Sequence, residues 1–425
     1  MTFADQFGLF HDKVLSFATC LCSNYRYPIA RLLIKVHKPV IEGRLLASGT
    51  QWLTNPIAVL LAQQLQPVVN QHASIAKDSA EVTAAFEQCA AEHGSANMAT
   101  FDVESLYPSI HHRRCRAAVA RVLHAYAASG ARRGMHKGAW VELLLRLFDI
   151  IIAAQIVIFQ AGTADQPSFY EQVQGITTGL ACATQLANLF LVGLDLLAMA
   201  SFDNLIYNYK RFVDDILVMY HGAVRLDDIL AVLNSWDDTI NVTHEASEVP
   251  TNVHFLDVDY TIRPAVTFKT YRKPQCLYCY TPFTSCHPNS IKRSIVLTEL
   301  VRLLRTNSSE ELYLNSVQFF IAKARLRGYP LSLLHQCLAA RPWAYRHVIA
   351  NKSCAPKAQQ RVVPFKITYF AGAEAWHLAR HLHEHAYLLQ HVAGQSFRIV
   401  LCYLSNVNLF RQRYARFTPG GEKPP

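Results

Sequence analysis

The sequence predicts an α+β fold, and three observations carry that prediction. Apolar runs come in pairs joined by turns. Lys210–Met219 sets such runs on either side of Asp214-Asp215, and 155–160 and 168–174 flank the turn-rich Ala161-Gly-Thr-Ala-Asp-Gln166. Stretches whose apolar residues recur at helical spacing separate these pairs. From Ile291 onward the character becomes almost wholly helical.

Taken in order, Phe7, Phe10, Val14 and Phe17 give Phe3–Phe17 a helical period. Tyr27–Pro39 carries a strand that closes in the basic turn Lys35-Val-His-Lys-Pro39, and Gly43–Gly49 is its return. Asn55-Pro56 opens a helix to about Asn70, because proline suits the first helical position. A helix over Ala80–Glu92 leads to a buried strand, Asn97–Val103, which puts Asp102 at a strand's C-terminal end; a helix over Arg113–Ala128 follows. Helix Ala139–Ile151 precedes the 155–174 hairpin, and Thr178–Ala200 reads as one long apolar core helix. Beyond the Asp-Asp hairpin come helix Leu226–Trp236 and strands at Asn241–Glu245, His254–Ile262 and Val266–Tyr271, with Pro264 parting the last two. Helices follow at Ile291–Arg305, Glu310–Arg327 and Leu331–Ala339, the last two separated by Gly328-Tyr-Pro330. The tail from Pro364 to Phe417 combines a short strand, a helix bearing His377, His381, His383 and His385, and a basic end at Arg411–Arg416.

At 425 residues the chain is long enough for about two to three compact units, and 51% hydrophobic content argues against disorder. Its formal charge of +10 suits a polyanionic partner. Eleven cysteines in no even framework, with no secretory N-terminus, point to a reducing interior. The apolar windows Ile150–Phe159 and Leu186–Ala200 are short or interrupted by Asp195, whereas a bilayer span needs about 20 apolar residues, so no membrane is expected.

The chemistry is expected where carboxylates meet. Asp214 and Asp215 sit between two strand-like runs and Asp102 ends a third, within Phe101-Asp-Val-Glu-Ser-Leu-Tyr-Pro-Ser-Ile110. Asp-Asp alone more often marks a solvated turn. Two strands of one sheet would bring all three acids together, as phosphoryl transfer through two Mg²⁺ ions requires.

In order along the chain, these blocks resemble a reverse transcriptase, specifically the polymerase core of Penelope-like elements, over Arg31–Phe417. Lys35-Val-His-Lys-Pro39 with Gly43-Arg44 and Ser48-Gly49 is similar to that family's IHKP and GRPIVSG block. Asp102 with Ser105-Leu-Tyr107 resembles its first carboxylate motif, and Gln174-Gly175, Gly179 and Ala187-Asn-Leu-Phe190 its QG block. Phe212-Val-Asp-Asp215 resembles the xxDD hairpin, and Val253–Val258 with Tyr271-Arg-Lys-Pro274 the block after it. Ser285-Cys-His-Pro288, Lys292–Ser294 and Arg327-Gly-Tyr-Pro330 form the most specific piece, which other reverse transcriptases lack. The family's upstream Lys-Ala-Asp-Lys-Gly block has no counterpart here, and no GIY-YIG endonuclease follows the matched region.

The resemblance implies a right-hand polymerase: an N-terminal helical extension over 1–30, fingers over 31–96, and a palm with antiparallel sheet over 97–274 whose 153–175 hairpin leads into the QG motif. A primer-grip region and helical thumb follow over 275–417, with a disordered tail over 418–425. It implies an RNA-directed DNA polymerase that extends a DNA primer on an RNA template with deoxynucleoside triphosphates, using two Mg²⁺ ions for which Mn²⁺ can substitute, inside the cell and in the nucleus. Asp102 and Asp214 are the expected bridging ligands, Asp215 an outer ligand, and the Val103 carbonyl a further oxygen donor. Tyr107 would exclude a ribose 2′ hydroxyl, Lys35 and Arg44 would hold the triphosphate, and Gln174 and Gly175 would let backbone approach the nascent pair. Ser285, Cys286, His287, Lys292 and Arg293 would grip nucleic acid, along with basic residues on later helices.

Competing readings are a catalytically idle nucleic-acid-binding remnant and a DNA-templated polymerase; the intact acids and Gly175 argue against decay. A family B DNA polymerase shares the Asp-x-x-Ser-Leu-Tyr-Pro-Ser pattern, but its Tyr-Gly-Asp-Thr-Asp partner is missing from the sequence. Cys276-Leu-Tyr-Cys279 with Cys286-His287 resembles a zinc loop, yet an adjacent second pair does not wrap a tetrahedron easily.

Overall fold

The computed structural model describes residues 26–35, 42–50, 52–130, 137–159, 168–244, 251–263, 265–273, 278–350, 361–368 and 397–404. The helices expected over 3–17 and 377–385, the basic end at 411–416 and Pro264 lie outside them, as does Cys276 of the zinc-like loop. The chain divides into two compact units, 1–276 and 277–425.

In the first unit, β1 (Ala30–Lys35) and β2 (Glu42–Ala47) form an antiparallel hairpin in which Leu33 faces Arg44 and Lys35 faces Glu42. Helices α1 (Asn55–Val69) and α2 (Ser79–Glu92) follow; α2 starts where the Asp78 side chain accepts the Glu81 N–H, a cap that satisfies an otherwise orphan donor. The central sheet is antiparallel, built from β3 (Asn97–Glu104), β6 (Ile206–Phe212), β7 (Asp215–Tyr220) and β8 (Asn241–His244) in the order β6-β7-β3-β8. The unbroken apolar run of β7 follows from burial on both faces. Ile216, Val218 and Tyr220 pack with Phe101 and Val103 against a helical layer; Leu217 and Met219 join Met98 in a second core under α2.

That helical layer contains α1, α4 (His112–Ala128), α5 (Lys137–Ala153), α6 (Ala183–Phe190) and α7 (Val192–Ala200). Between β3 and α4 lies a single helical turn, α3 (Leu106–Ser109), and after α5 the hairpin of β4 (Ile156–Phe159) and β5 (Ser168–Glu171). Helix α8 (Leu226–Asn234) precedes β8. A second antiparallel sheet joins β9 (Asn252–Phe255), β10 (Val258–Thr261) and β11 (Thr267–Thr270).

Two expectations need correction. The single helix read over 178–200 begins only at Ala183 and breaks at Leu191, because residues 175–182 are used in turns around Gly175 and Gly179. The strand read over 254–262 is a hairpin: Leu256 takes φ 56° and folds β10 back on β9 with Val258 opposite Phe255. The Ala183–Ala200 segment is apolar and long enough in composition to cross a membrane, but 61% of it is buried within the protein.

The second unit holds α9 (Asn289–Arg305), α10 (Glu310–Leu326) and α11 (Leu331–Ala339), then a short 3₁₀ turn at Trp343–Tyr345 and α12 (Arg346–Ala350). Leu300, Leu304, Tyr313, Phe320, Leu334 and Cys337 share its core. Strands β12 (Arg361–Thr368) and β13 (Phe397–Leu404) pair in parallel.

Candidate active site

The three acids converge at one end of the central sheet. β3 runs antiparallel to β7 with Asp102 directly opposite Asp215, one step beyond the buried Phe101–Ile216 pair, so alternation puts both carboxylates on the same face. Val213 and Asp214 make the two-residue turn between β6 and β7. Val213 has φ 60°, a conformation that tight hairpin turns need but that β-branched residues rarely adopt. Both turn carbonyls are bound: Asp214 O accepts the Val103 N–H at 3.0 Å, and Val213 O accepts from Arg211 Nη1 at 3.0 Å. Asp102, Asp214 and Asp215 are all half-buried, whereas Val103 is buried.

Like charges directly opposite each other in a sheet repel, and a cation held nearby would relieve that repulsion between Asp102 and Asp215. Among the described residues no three His, Cys, Asp or Glu side chains form a ready-made metal cage. Magnesium in polymerase sites takes only one or two carboxylates, the rest of its shell being water and substrate phosphate. A facing carboxylate pair with a third acid next in sequence fits that demand.

Around these acids, blocks distant in sequence meet. Ser105, at φ 49°, turns the chain out of β3 into α3 and so presents Tyr107, whose hydroxyl lies 3.4 Å from Thr184 Oγ1. Gly175 then packs on this turn: its N–H donates to Ile110 O at 3.0 Å, and the Ile176 N–H to Tyr107 O at 2.8 Å. A Cβ on Gly175, at φ 81°, would stand 2.8 Å from the Pro108 backbone, so glycine is required by both conformation and space. Gln174 is exposed beside it. Gly179 meets the end of β2, where the Gly49 N–H donates to Gly179 O at 3.3 Å and a Cβ on Gly179 would run into the Ala47 carbonyl. Lys35 and Arg44 lie on β1 and β2 of that hairpin.

Two buried polar clusters, outside the motifs quoted from the sequence, pack behind this site. In one, the His112 ring Nε2 lies 2.7 Å from Gly175 O, which fixes the proton on that nitrogen, while the buried Gln155 side chain accepts the Thr177 N–H at 2.9 Å. In the other, Arg211 and Asp195 form an ion pair with both side chains fully buried, Nε to Oδ1 at 2.7 Å and Nη2 to Oδ2 at 2.8 Å. Burial works against the Arg211 charge, but the adjoining Asp195 carboxylate more than compensates and keeps the guanidinium ionised; burial also pushes the Tyr209 hydroxyl well above its ordinary range. The available signal was Asp195, a charge inside an apolar helix, which calls for a buried partner.

In the second unit, segments far apart in sequence close on each other. The Phe283 N–H donates to Arg327 O at 2.9 Å, the Phe283 and Tyr329 rings lie 5.3 Å apart, and Gly328 turns the chain at φ 83°. Ser285 is half-buried with its hydroxyl 3.2 Å from His287 Nδ1, while Cys286 and His287 are exposed. Lys292 is only 7% exposed and places its ammonium 4.9 Å from the Phe283 ring centre, where the ring offers its π face to the cation. Arg293 is half-buried and donates to Gln336 at 2.6 Å, tying α9 to α11.

With this geometry in place, the comparisons with known proteins identify the architecture. No curated protein matches the sequence, and the animal helix-turn-helix domain matches residues 279–338, the α9–α11 segment. Among solved structures, telomerase from Candida albicans in complex with a fragment of telomeric RNA aligns at TM-score 0.51 and 11% identity, over 81% of this chain and 65% of that one. The chain has a right-hand polymerase fold. Apo telomerase from Candida tropicalis, truncated of its C-terminal domain, aligns at TM-score 0.42 and 11% identity over 62% of this chain and 60% of that one. The RNA-dependent RNA polymerase of a human picobirnavirus gives 0.44 and 12% over 75% and 61%. This chain thus spans less than two thirds of the length of each of these three.

Proposed function

We propose that this chain is an RNA-directed DNA polymerase of the Penelope-like kind, extending a DNA primer on an RNA template. One observation carries the reading: within a polymerase fold, Asp102 and Asp215 stand in register on adjacent strands, with Asp214 on the turn that joins β7 to β6. The 3′ oxygen of the primer forms a bond to the α-phosphorus of a deoxynucleoside triphosphate as the bond to pyrophosphate breaks. Two Mg²⁺ ions, with Mn²⁺ as substitute, supply activation of the hydroxyl and stabilisation of the leaving pyrophosphate. Asp102 and Asp214 would hold them, with Asp215 as an outer ligand and the Val103 carbonyl as a further oxygen donor. Tyr107 excludes a ribose 2′ hydroxyl. Gly175 lets the backbone approach the nascent base pair beside Gln174, and Lys35 and Arg44 neutralise the triphosphate.

The fold also suits nucleic-acid partners through its formal charge of +10. The decisive experiment is primer extension by the purified chain with Mg²⁺ on poly(rA)/oligo(dT) against the matching DNA template. Extension on RNA at least tenfold faster than on DNA is expected. Extension on DNA alone would make it a DNA-templated polymerase, and none on either would leave a nucleic-acid-binding remnant.

A further inference from the structure

Arg211 is fully buried two residues before the Val213–Asp214 turn, and each of its five N–H donors has an acceptor. Two bond the Asp195 carboxylate; the others reach Asn188 Oδ1 at 2.8 Å, Asn188 O at 3.1 Å and Val213 O at 3.0 Å. Its backbone is held as firmly, since its N–H donates to Ser74 O at 2.7 Å and its carbonyl accepts the Ala76 N–H at 2.8 Å. Asp195 is saturated in turn by Tyr209 at 2.9 Å and Ser74 at 2.9 Å. The guanidinium therefore links α6, α7, β6 and the 74–76 segment to a single outward-reaching bond, the one to the left-handed turn residue beside Asp214.

A buried ion pair is a weak source of stability, and an apolar pair of similar volume often serves the fold as well. What an apolar pair lacks is a donor for the Val213 carbonyl. We infer that Arg211, braced by Asp195 and Asn188, is a positioning residue that fixes the Val213–Asp214 turn and thereby aims the Asp214 carboxylate. The inference rests on the polymerase reading above, and it assigns Arg211 no contact with substrate.

The test compares the full-length wild type with Arg211→Met/Asp195→Leu, which removes the charges together, and with a destabilised control, Leu233→Ala in the α8 core. Melting temperature, primer–template affinity, single-turnover extension and Mn²⁺ binding by electron paramagnetic resonance are read on each. The apolar pair is expected to melt near wild type and bind primer–template normally, yet to lose about 10²-fold in extension rate, the scale of an ångström-sized misplacement, with Mn²⁺ affinity down at least tenfold. Leu233→Ala should lower the melting temperature and leave Mn²⁺ affinity alone. An apolar pair with wild-type rate and Mn²⁺ affinity overturns the inference. Should that variant not fold, Arg211→Lys decides in the same way, because a lysine keeps the charge but lacks the planar fork that spans Asp195 and Val213. A wild type that binds Mn²⁺ and extends no primer would defeat the polymerase reading while the Mn²⁺ comparison still judges Arg211; one that binds no Mn²⁺ overturns both.

Discussion

Gly175→Ala strikes the point where the chain after β5 meets the turn presenting Tyr107. An L residue at φ 81° costs roughly 1–2 kcal/mol before any contact is counted. The added Cβ would lie 2.8 Å from Pro108 Cα and O and 2.9 Å from Tyr107 O, all backbone atoms, so α3 itself would have to move by about half an ångström to reach ordinary contact. Overpacking of that kind typically costs 1–3 kcal/mol, which gives a total of about 2–5 kcal/mol. Against the 5–15 kcal/mol that holds a typical domain together, this is a severe lesion. Gly130 provides the control, since it has φ 77° with nothing within 4 Å of its virtual Cβ, so Gly130→Ala should cost only the conformational part, about 1 kcal/mol. Urea unfolding followed by tryptophan fluorescence measures both, and primer extension shows whether the moved turn still supports catalysis. Equal losses for the two variants would refute the claimed close approach of Gly175 to α3.

Four other substitutions probe the same geometry. Asp214→Asn should abolish extension with primer–template affinity intact, measured by fluorescence anisotropy; wild-type extension would remove Asp214 from the ligand set. Tyr107→Ala should raise ribonucleotide incorporation relative to deoxynucleotide in single-nucleotide assays, and an unchanged ratio would make the ring a packing residue only. Val213→Gly should ease a backbone strained at φ 60° and raise thermal stability slightly while slowing extension, because the turn loses its fixed aim; a lower melting temperature would contradict the strain. Lys292→Ala should cost about 0.5–2 kcal/mol through its lost contact with Phe283 and leave the salt dependence of hybrid binding unaltered, whereas a flattened salt slope would put Lys292 back on a phosphate.

What the sequence made legible was local and periodic. The apolar run Ile216–Tyr220 and the run ending at Asp102 announced their strands, and Asn55-Pro56 announced its helix, because period and proline act within a few residues. The convergence of Asp102 with Asp214 and Asp215 was legible as well, since motif order supplied what periodicity could not. Long-range partners were not. Nothing near Gly179 in the chain tells of the Ala47 carbonyl against which it packs, and nothing near Lys292 reveals the Phe283 ring above it. The break at Leu191 escaped for a related reason: a uniformly apolar stretch has no period to lose when its helix is interrupted.

Strained backbone flanks the acids. Ser105 follows Asp102 by three residues and Val213 precedes Asp214 by one; both hold positive φ without being glycine. Each is fixed through its own carbonyl, Ser105 O by the Ser109 hydroxyl at 3.0 Å and Val213 O by the Arg211 guanidinium. Conformations of this sort cost on the order of 1–3 kcal/mol and persist only where the surroundings over-determine them. Glycine at either position would relieve the strain but leave the backbone next to the acids freer to rotate. Non-glycine residues at 105 and 213 thus hold the chain on either side of a ladder in which Asp102 and Asp215 stand directly opposite each other.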